Sequence, residues 1–471
     1  MADDGLPAVS PGAPSAAAAA RQAGWPQLAP WIAALAGLAL VLAVFWPGYM
    51  SWDSAYQWWQ ARHDRFDSVH PPLLAMIWQL TDRVVEGPGG MFALQCALLW
   101  SALALFAAAL PVRPIWRALI VLGFGLWPPL LALQPHVWKD LWTLAAFAWA
   151  LALMAEELRT PHRGWRVSAV VALVFACAFR HNAITGALPL LLWLCGRELS
   201  VHRPLRHPRL AVVALASTLT LLVALVAALP ARDGRVRHTE SIWSVVTLWD
   251  AAAVSLAENR LVYPTELVDP TLTLDELRGK FTDYSNTTVF ETHKLHHSFD
   301  GPYTPAQRKA LRQLALDLPT QHTRAYAAHR WRLAQLLYGW DRAALPDGLV
   351  LMPGLHAYGD NPALAVERSA LHERALAGLL ALVDTPLFAG WIYLALCAGV
   401  IALAWRRSRV TDDADAGRTG LAAAVAASAL MYALPLALVS GSAEFRYLAW
   451  PVLATLAALV LSVRSRGTPR G

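Results

Sequence analysis

Four short stretches hold residues whose types and spacing can do chemistry on a charged substrate. The first is WPGYMSWDSAYQWWQARHDRFDSVHPPLLAMIWQL, where Asp53, Asp64, Asp67 and His70 stand among aromatic residues. The second is QPHVWKDLW, with His136, Lys139 and Asp140; the third is FRHNAITG, with Arg180, His181 and Asn182. The fourth is SGSAEFRYLAWP, with Glu444 and Arg446. Carboxylates can take a proton from an attacking hydroxyl. Arg and Lys can hold a phosphate and offset charge on a leaving group, Arg by a two-pronged grip.

The elements that position these groups are apolar. Of the 471 residues 56% are hydrophobic and 15% charged, with 22 Trp, and the mean hydropathy is +0.39. A globular water-soluble domain averages roughly 25% charged residues, so that class is excluded, as are disordered and disulfide-stapled chains. The four cysteines (Cys96, Cys177, Cys195, Cys397) lie in apolar runs and read as small buried hydrophobes. Apolar segments able to cross a bilayer recur near 31–46, 91–110, 115–133, 141–156, 167–179, 183–195, 210–229, 387–405, 421–439 and 447–463. They predict an all-α polytopic membrane protein with about ten transmembrane helices. With the N-terminus inside, the short connections carry seventeen Lys plus Arg on the inner side and six on the outer, the bias expected of cytoplasmic loops. The net charge of +6 is then largely topology. The expected layout is a disordered cytoplasmic tail (1–30), a membrane core (31–230) whose first outer loop is 47–90, a large outer loop (231–386), further membrane helices (387–463) and a short tail (464–471).

All four polar stretches fall on the outer side, at helix mouths, where unpaired charge is costly and therefore points to function. Each also has a plain structural reading. Asp53 could cap a helix over 54–62, and Trp58–Trp59 reads more as an interfacial anchor than as a sugar platform. Lys139 and Asp140 could pair with each other, Arg180 could pair with Asp140 or Glu444, and Arg446 could pair with Glu444. His63, Asp64, Asp67 and His70 are irregularly spaced for metal ligands, as are His293, His296 and His297, and no metal or other cofactor is expected. HPP bends the chain into the next helix.

The ordered set WDS, HPP, WKD, RHN and a late EFRY resembles the GT-C superfamily of polyprenyl-phosphate-sugar-dependent glycosyltransferases, in particular a little-characterised bacterial branch. The resemblance covers roughly 31–230 and 420–465. It implies transfer of a sugar from a polyprenyl-phosphate donor to an envelope acceptor at the outer face of the bacterial cytoplasmic membrane, with inversion at the anomeric carbon. It places the catalytic carboxylate in the first outer loop, which makes Asp53 the first choice of base and Asp140 the second. His70, Lys139, Arg180, His181, Asn182, Glu444 and Arg446 would then bind substrate. The first loop lacks the Asp-X-Asp or Glu-X-Asp cluster of metal-dependent relatives, so the metal-independent branch is the better comparison. The alternative is a secondary transporter or flippase of a lipid- or sugar-phosphate, which would tend to carry its charges near mid-membrane.

Residues 231–386 have the composition of a water-exposed segment. Asp300–Gly301–Pro302 reads as a turn, 306–316 as a short helix and His329–Trp340 as an amphipathic helix at the interface. A loop this long is expected to form a small helical cap.

Overall fold

The computed structural model describes residues 16–201, 208–365, 368–408 and 416–463. About 71% of the chain is helical. The α-helices are α1 (Ala16–Phe45), α2 (Trp52–His63), α3 (Leu73–Asp82), α4 (Gly89–Ala109), α5 (Pro114–Gly125), α6 (Pro128–Leu133), α7 (Lys139–Arg159), α8 (Arg163–Phe179), α9 (Ala183–Val201), α10 (Pro208–Ala227), α11 (Ser244–Ala257), α12 (Leu274–Lys280), α13 (Thr287–Thr292), α14 (Pro305–Gln321), α15 (Thr323–Leu337), α16 (Ala370–Leu380), α17 (Gly390–Arg407), α18 (Ala416–Ala433), α19 (Leu436–Val439) and α20 (Ala449–Ser462). Two strands, β1 (Phe66–Asp67) and β2 (Val236–Arg237), pair in parallel and tie the first outer loop to the start of the long one.

The chain is all-α, and six segments among the described residues are long and apolar enough to cross a membrane: 27–45, 89–109, 139–159, 208–227, 416–439 and 445–462. The other apolar segments are helical too, but the one expected over 115–133 is broken. Pro128 and Pro129 lack the amide hydrogens a continuous helix needs, so α5 stops at Gly125 and α6 restarts at Pro128. α1 is helical from Ala16, inside the segment expected as a tail over 1–30. Residues 1–15, the tail 464–471 and the inner-loop arginines Arg203, Arg206, Arg409, Arg464, Arg466 and Arg470 lie outside the described residues.

α7 is the central helix, packed on α4 and α8; α18 packs on α9, α17 and α20, and α1 on α4 and α5. Small residues set the closest approaches. The Trp100 ring of α4 sits between Gly37 of α1 and Gly125 of α5, where a β-carbon would lie 2.1 and 2.3 Å from ring atoms. Any larger residue there would force the three helices apart.

At the far end of α7 from Lys139, arginines pair with buried carboxylates. Glu156 and Glu157 are buried in the last turn of α7, where the helix dipole disfavours anions. Arg159 meets Glu156 at 2.7 Å, and Arg166 and Arg197 meet Glu157 at 3.1 and 3.2 Å, joining α7, α8 and α9.

The described residues of 231–386 carry α11–α16 and touch the segments beside the site, the Met352 amide donating to His136 Nε2 at 3.0 Å. The turn at Gly301 and the following helix are present, the helix running on to Gln321. His329 and Arg330 are buried, so that face of α15 packs inside the protein, while Trp331 is exposed. His329 and Arg330 both contact Asp250 of α11, and Arg330 donates to the Ser440 carbonyl at 2.7 Å.

Candidate functional site

The site is assembled from the four polar stretches. After α1 the chain turns at Gly48 (φ 93°), and Tyr49 pairs with residues 135–137: its amide donates to Pro135 (2.7 Å) and its carbonyl accepts from Val137 (3.0 Å). The 134–138 turn is held from below by buried amides. Trp100 donates to Gln134 Oε1 (2.9 Å), Gln134 donates to the Gly125 carbonyl (2.6 Å), and Gln95 donates to the carbonyls of Gln134 and His136 (2.9 and 2.8 Å). Ser51 occupies the N-cap position of α2, and its hydroxyl accepts from Trp138 Nε1 at 2.8 Å. Asp53 therefore caps nothing. It lies in the first turn of α2, where the helix dipole favours a carboxylate.

Around Asp53 the expected residues form one connected network. Arg446 Nη2 donates to Asp53 Oδ2 at 2.8 Å, and Arg446 Nε lies 2.5 Å from Glu444 Oε2 and 3.8 Å from Asp140 Oδ2. Arg180 contacts Asp140 through Nη1 and donates from Nε to Asn182 Oδ1 at 2.7 Å. Lys139 lies 2.6 Å from His70 Nδ1, whose Nε2 faces Asp53 Oδ1 at 3.7 Å. Lys139 does not pair with Asp140, because Asp140 is taken by Arg180. Among the described residues no carboxylate stands within 4.0 Å of Lys139.

The electrostatics follow from this geometry. Burial would raise the Asp53 carboxyl, but Arg446, His70 and Lys139 together outweigh it and hold the group well below the usual carboxylate range. Burial lowers His70, Lys139 lowers it further, and Asp53 offsets them only in part. With Lys139 Nζ donating to His70 Nδ1, the ring hydrogen sits on Nε2, facing Asp53. Three carboxylates face three cations in a site almost closed to water, and solvent access separates the carboxylates. The Asp53 side chain is 33% exposed, against 1% for Asp140 and 14% for Glu444. Asp53 is the most exposed of the three, with Oδ2 taken by Arg446 and Oδ1 facing His70 at 3.7 Å.

Eight of the nine expected site residues meet in this network: Asp53, His70, Lys139, Asp140, Arg180, Asn182, Glu444 and Arg446. His181 is exposed at the rim. The pairing of Arg180 with Asp140 and that of Arg446 with Glu444 are both present, within the larger cluster. The other polar residues of the first loop disperse. His63 turns to Asp360 (3.1 Å) and Asp64 to Arg235 (2.7 Å), while Asp67 accepts from the Val69 amide (2.9 Å). Among the described residues no group of three or more His, Cys, Asp or Glu is placed to hold a metal, the histidines at 293–297 included. Trp58 is fully buried and donates to Asp82 at 2.7 Å, which removes it as an interfacial anchor.

Sequence reasoning missed two aromatic supports. The Tyr447 ring lies 4.3 Å from the Arg180 guanidinium and 5.6 Å from that of Arg446, and Trp138 lies 4.8 Å from Arg446. The Tyr447 hydroxyl reaches Ser442 and Glu444 at 2.9 and 3.2 Å. Both aromatics sit inside stretches already singled out, WKD and EFRY, and their adjacency to the charged residues was the available signal. No family model, curated protein or solved structure matches the chain.

Proposed function

We propose that the protein is a membrane glycosyltransferase that moves a sugar from a polyprenyl-phosphate donor to an acceptor hydroxyl at the outer face of a bacterial cytoplasmic membrane. In this reading ten helical spans carry the site, four of them shorter or less apolar than the six above. The observation that supports it most is the solvent-reaching Asp53 carboxylate set beside Arg446, Arg180 and Lys139. The donor's lipid would stay in the bilayer while its phosphate met those cations. The acceptor oxygen would attack the anomeric carbon as the bond to the phosphate oxygen breaks, with its proton passing to Asp53. In-line displacement inverts the anomeric centre. A phosphate is a weakly basic leaving group, so cations help it more than a general acid would. Asp140 and Glu444 hold the two arginines in place, and Asn182 and Tyr447 orient them. Charges gathered at helix mouths, not within the spans, favour an enzyme over a secondary transporter.

The test is Asp53→Asn in isolated membranes supplied with a labelled polyprenyl-phosphate sugar. Loss of transfer by about 10²-fold or more with normal protein levels is expected. Undiminished transfer removes Asp53 as the base, and uptake into proteoliposomes without transfer replaces the enzyme by a transporter.

A further inference from the structure

We propose that a saccharide chain binds along the ring-bearing face of α2, next to the charged site. Trp52, Tyr56, Trp59 and His63 fall at i, i+4, i+7 and i+11, one stripe of the helix about 16 Å long. The stripe starts one residue from Asp53. Its rings are held in register with the segment 356–360: Tyr56 lies 4.8 Å from Tyr358, Trp52 lies 5.8 Å from His356, and Trp59 stacks on His63 at 4.6 Å.

Hydrogen bonds at the ring edges keep the surface rigid. Trp59 Nε1 donates to Asp360 Oδ1 at 2.9 Å, His63 meets Asp360 Oδ2 at 3.1 Å, and Asn361 donates to the Ala55 carbonyl at 2.8 Å. Gly359 lets the segment lie against Trp59; it has φ +56°, and a β-carbon there would come within 2.9 Å of the indole. The edges are fixed, yet the rings stay accessible: Trp52 is 62% exposed and Tyr56, Trp59 and Tyr358 are half-buried.

A pyranose has an apolar C–H face and a hydroxyl rim. A preformed row of aromatic faces with phenol and imidazole groups among them matches both. An acyl chain would use the faces and strand the polar groups, and the exposed charge of Asp360 stands on the same stripe. The inference rests on the transferase reading only in calling this saccharide the acceptor, carried to Asp53 along the stripe.

The test uses the full-length protein in nanodiscs with maltotriose, cellotriose and chitotriose as probes, read by saturation-transfer NMR. Saturation of sugar C–H protons by at least one probe is expected, with binding about three- to tenfold weaker in Trp52→Ala and in Tyr56→Ala. Saturation by these probes needs no lipid-linked donor, which separates this inference from the transfer chemistry. Absence of saturation with all three probes, or equal saturation in the ring variants, overturns it. Because a ring variant could misfold, a nitroxide at Trp52→Cys gives a second reading. Relaxation by a water-soluble nickel chelate supports the proposal, and relaxation mainly by oxygen places the stripe in lipid and overturns it.

Discussion

Replacing Arg446 by Gln tests the network at its busiest point. The guanidinium is buried and serves Asp53, Glu444 and, at longer range, Asp140. Arg446→Gln leaves Asp53 and Glu444 without their principal cation, while Asp140 keeps Arg180. Removing one partner of a buried ion pair costs about 3–5 kcal/mol, because the remaining charge stays desolvated. The pH dependence gives a sharper signature. In the parent protein Asp53 lies below its unfolded value, so its stabilising contribution is present above about pH 4 and is lost only as pH falls through the lower folded value. Without Arg446, burial is opposed only by His70 and Lys139, and Asp53 rises from its lowered position. The ionised form loses part of its stabilising contribution, and that loss fades as acidification protonates the group. The gap between variant and parent should therefore narrow on acidification from pH 7, measured by reversible denaturation in mixed micelles. Adding Asp53→Asn to Arg446→Gln should recover about 1–2 kcal/mol at pH 7. A gap that is constant or widens on acidification, or a double variant no more stable than the single one, refutes the reasoning.

Two further substitutions separate binding from scaffolding. Lys139→Met should barely change stability, because Lys139 is in no ion pair among the described residues, yet it should weaken polyprenyl-phosphate binding roughly tenfold or more; unchanged affinity in a micelle titration would assign Lys139 to structure. Arg330→Met should cost about 3–5 kcal/mol by taking from buried Asp250 its arginine partner. It should also speed hydrogen exchange of the 440–443 segment, whose Ser440 carbonyl Arg330 holds and whose Gly441 and Ala443 bond to residues 284–286. Unchanged exchange there would mean the long loop does not position Glu444 and Arg446.

Membrane character and helical class were legible in composition alone, since a chain this poor in charge must bury its backbone polar groups in helices to live in lipid. The members of the site were legible as well. Charges flanked by apolar runs are costly wherever they lie, so Arg180, Asp140 and Arg446 stood out before any partner was known. The partners were not legible. Lys139 and Asp140 are adjacent in sequence, yet α7 turns about 100° per residue and sends them to different neighbours, His70 and Arg180. Asp53 read equally well as a helix cap until the start of α2 placed Ser51 there. His329 and Arg330 looked interfacial because a periodic pattern records which residues share a face and not what that face meets. The amino-acid order thus determined which groups were too polar for their surroundings. Only the packing of segments hundreds of residues apart decided which charge neutralises which, and that choice leaves Asp53 the most water-exposed carboxylate of the cluster.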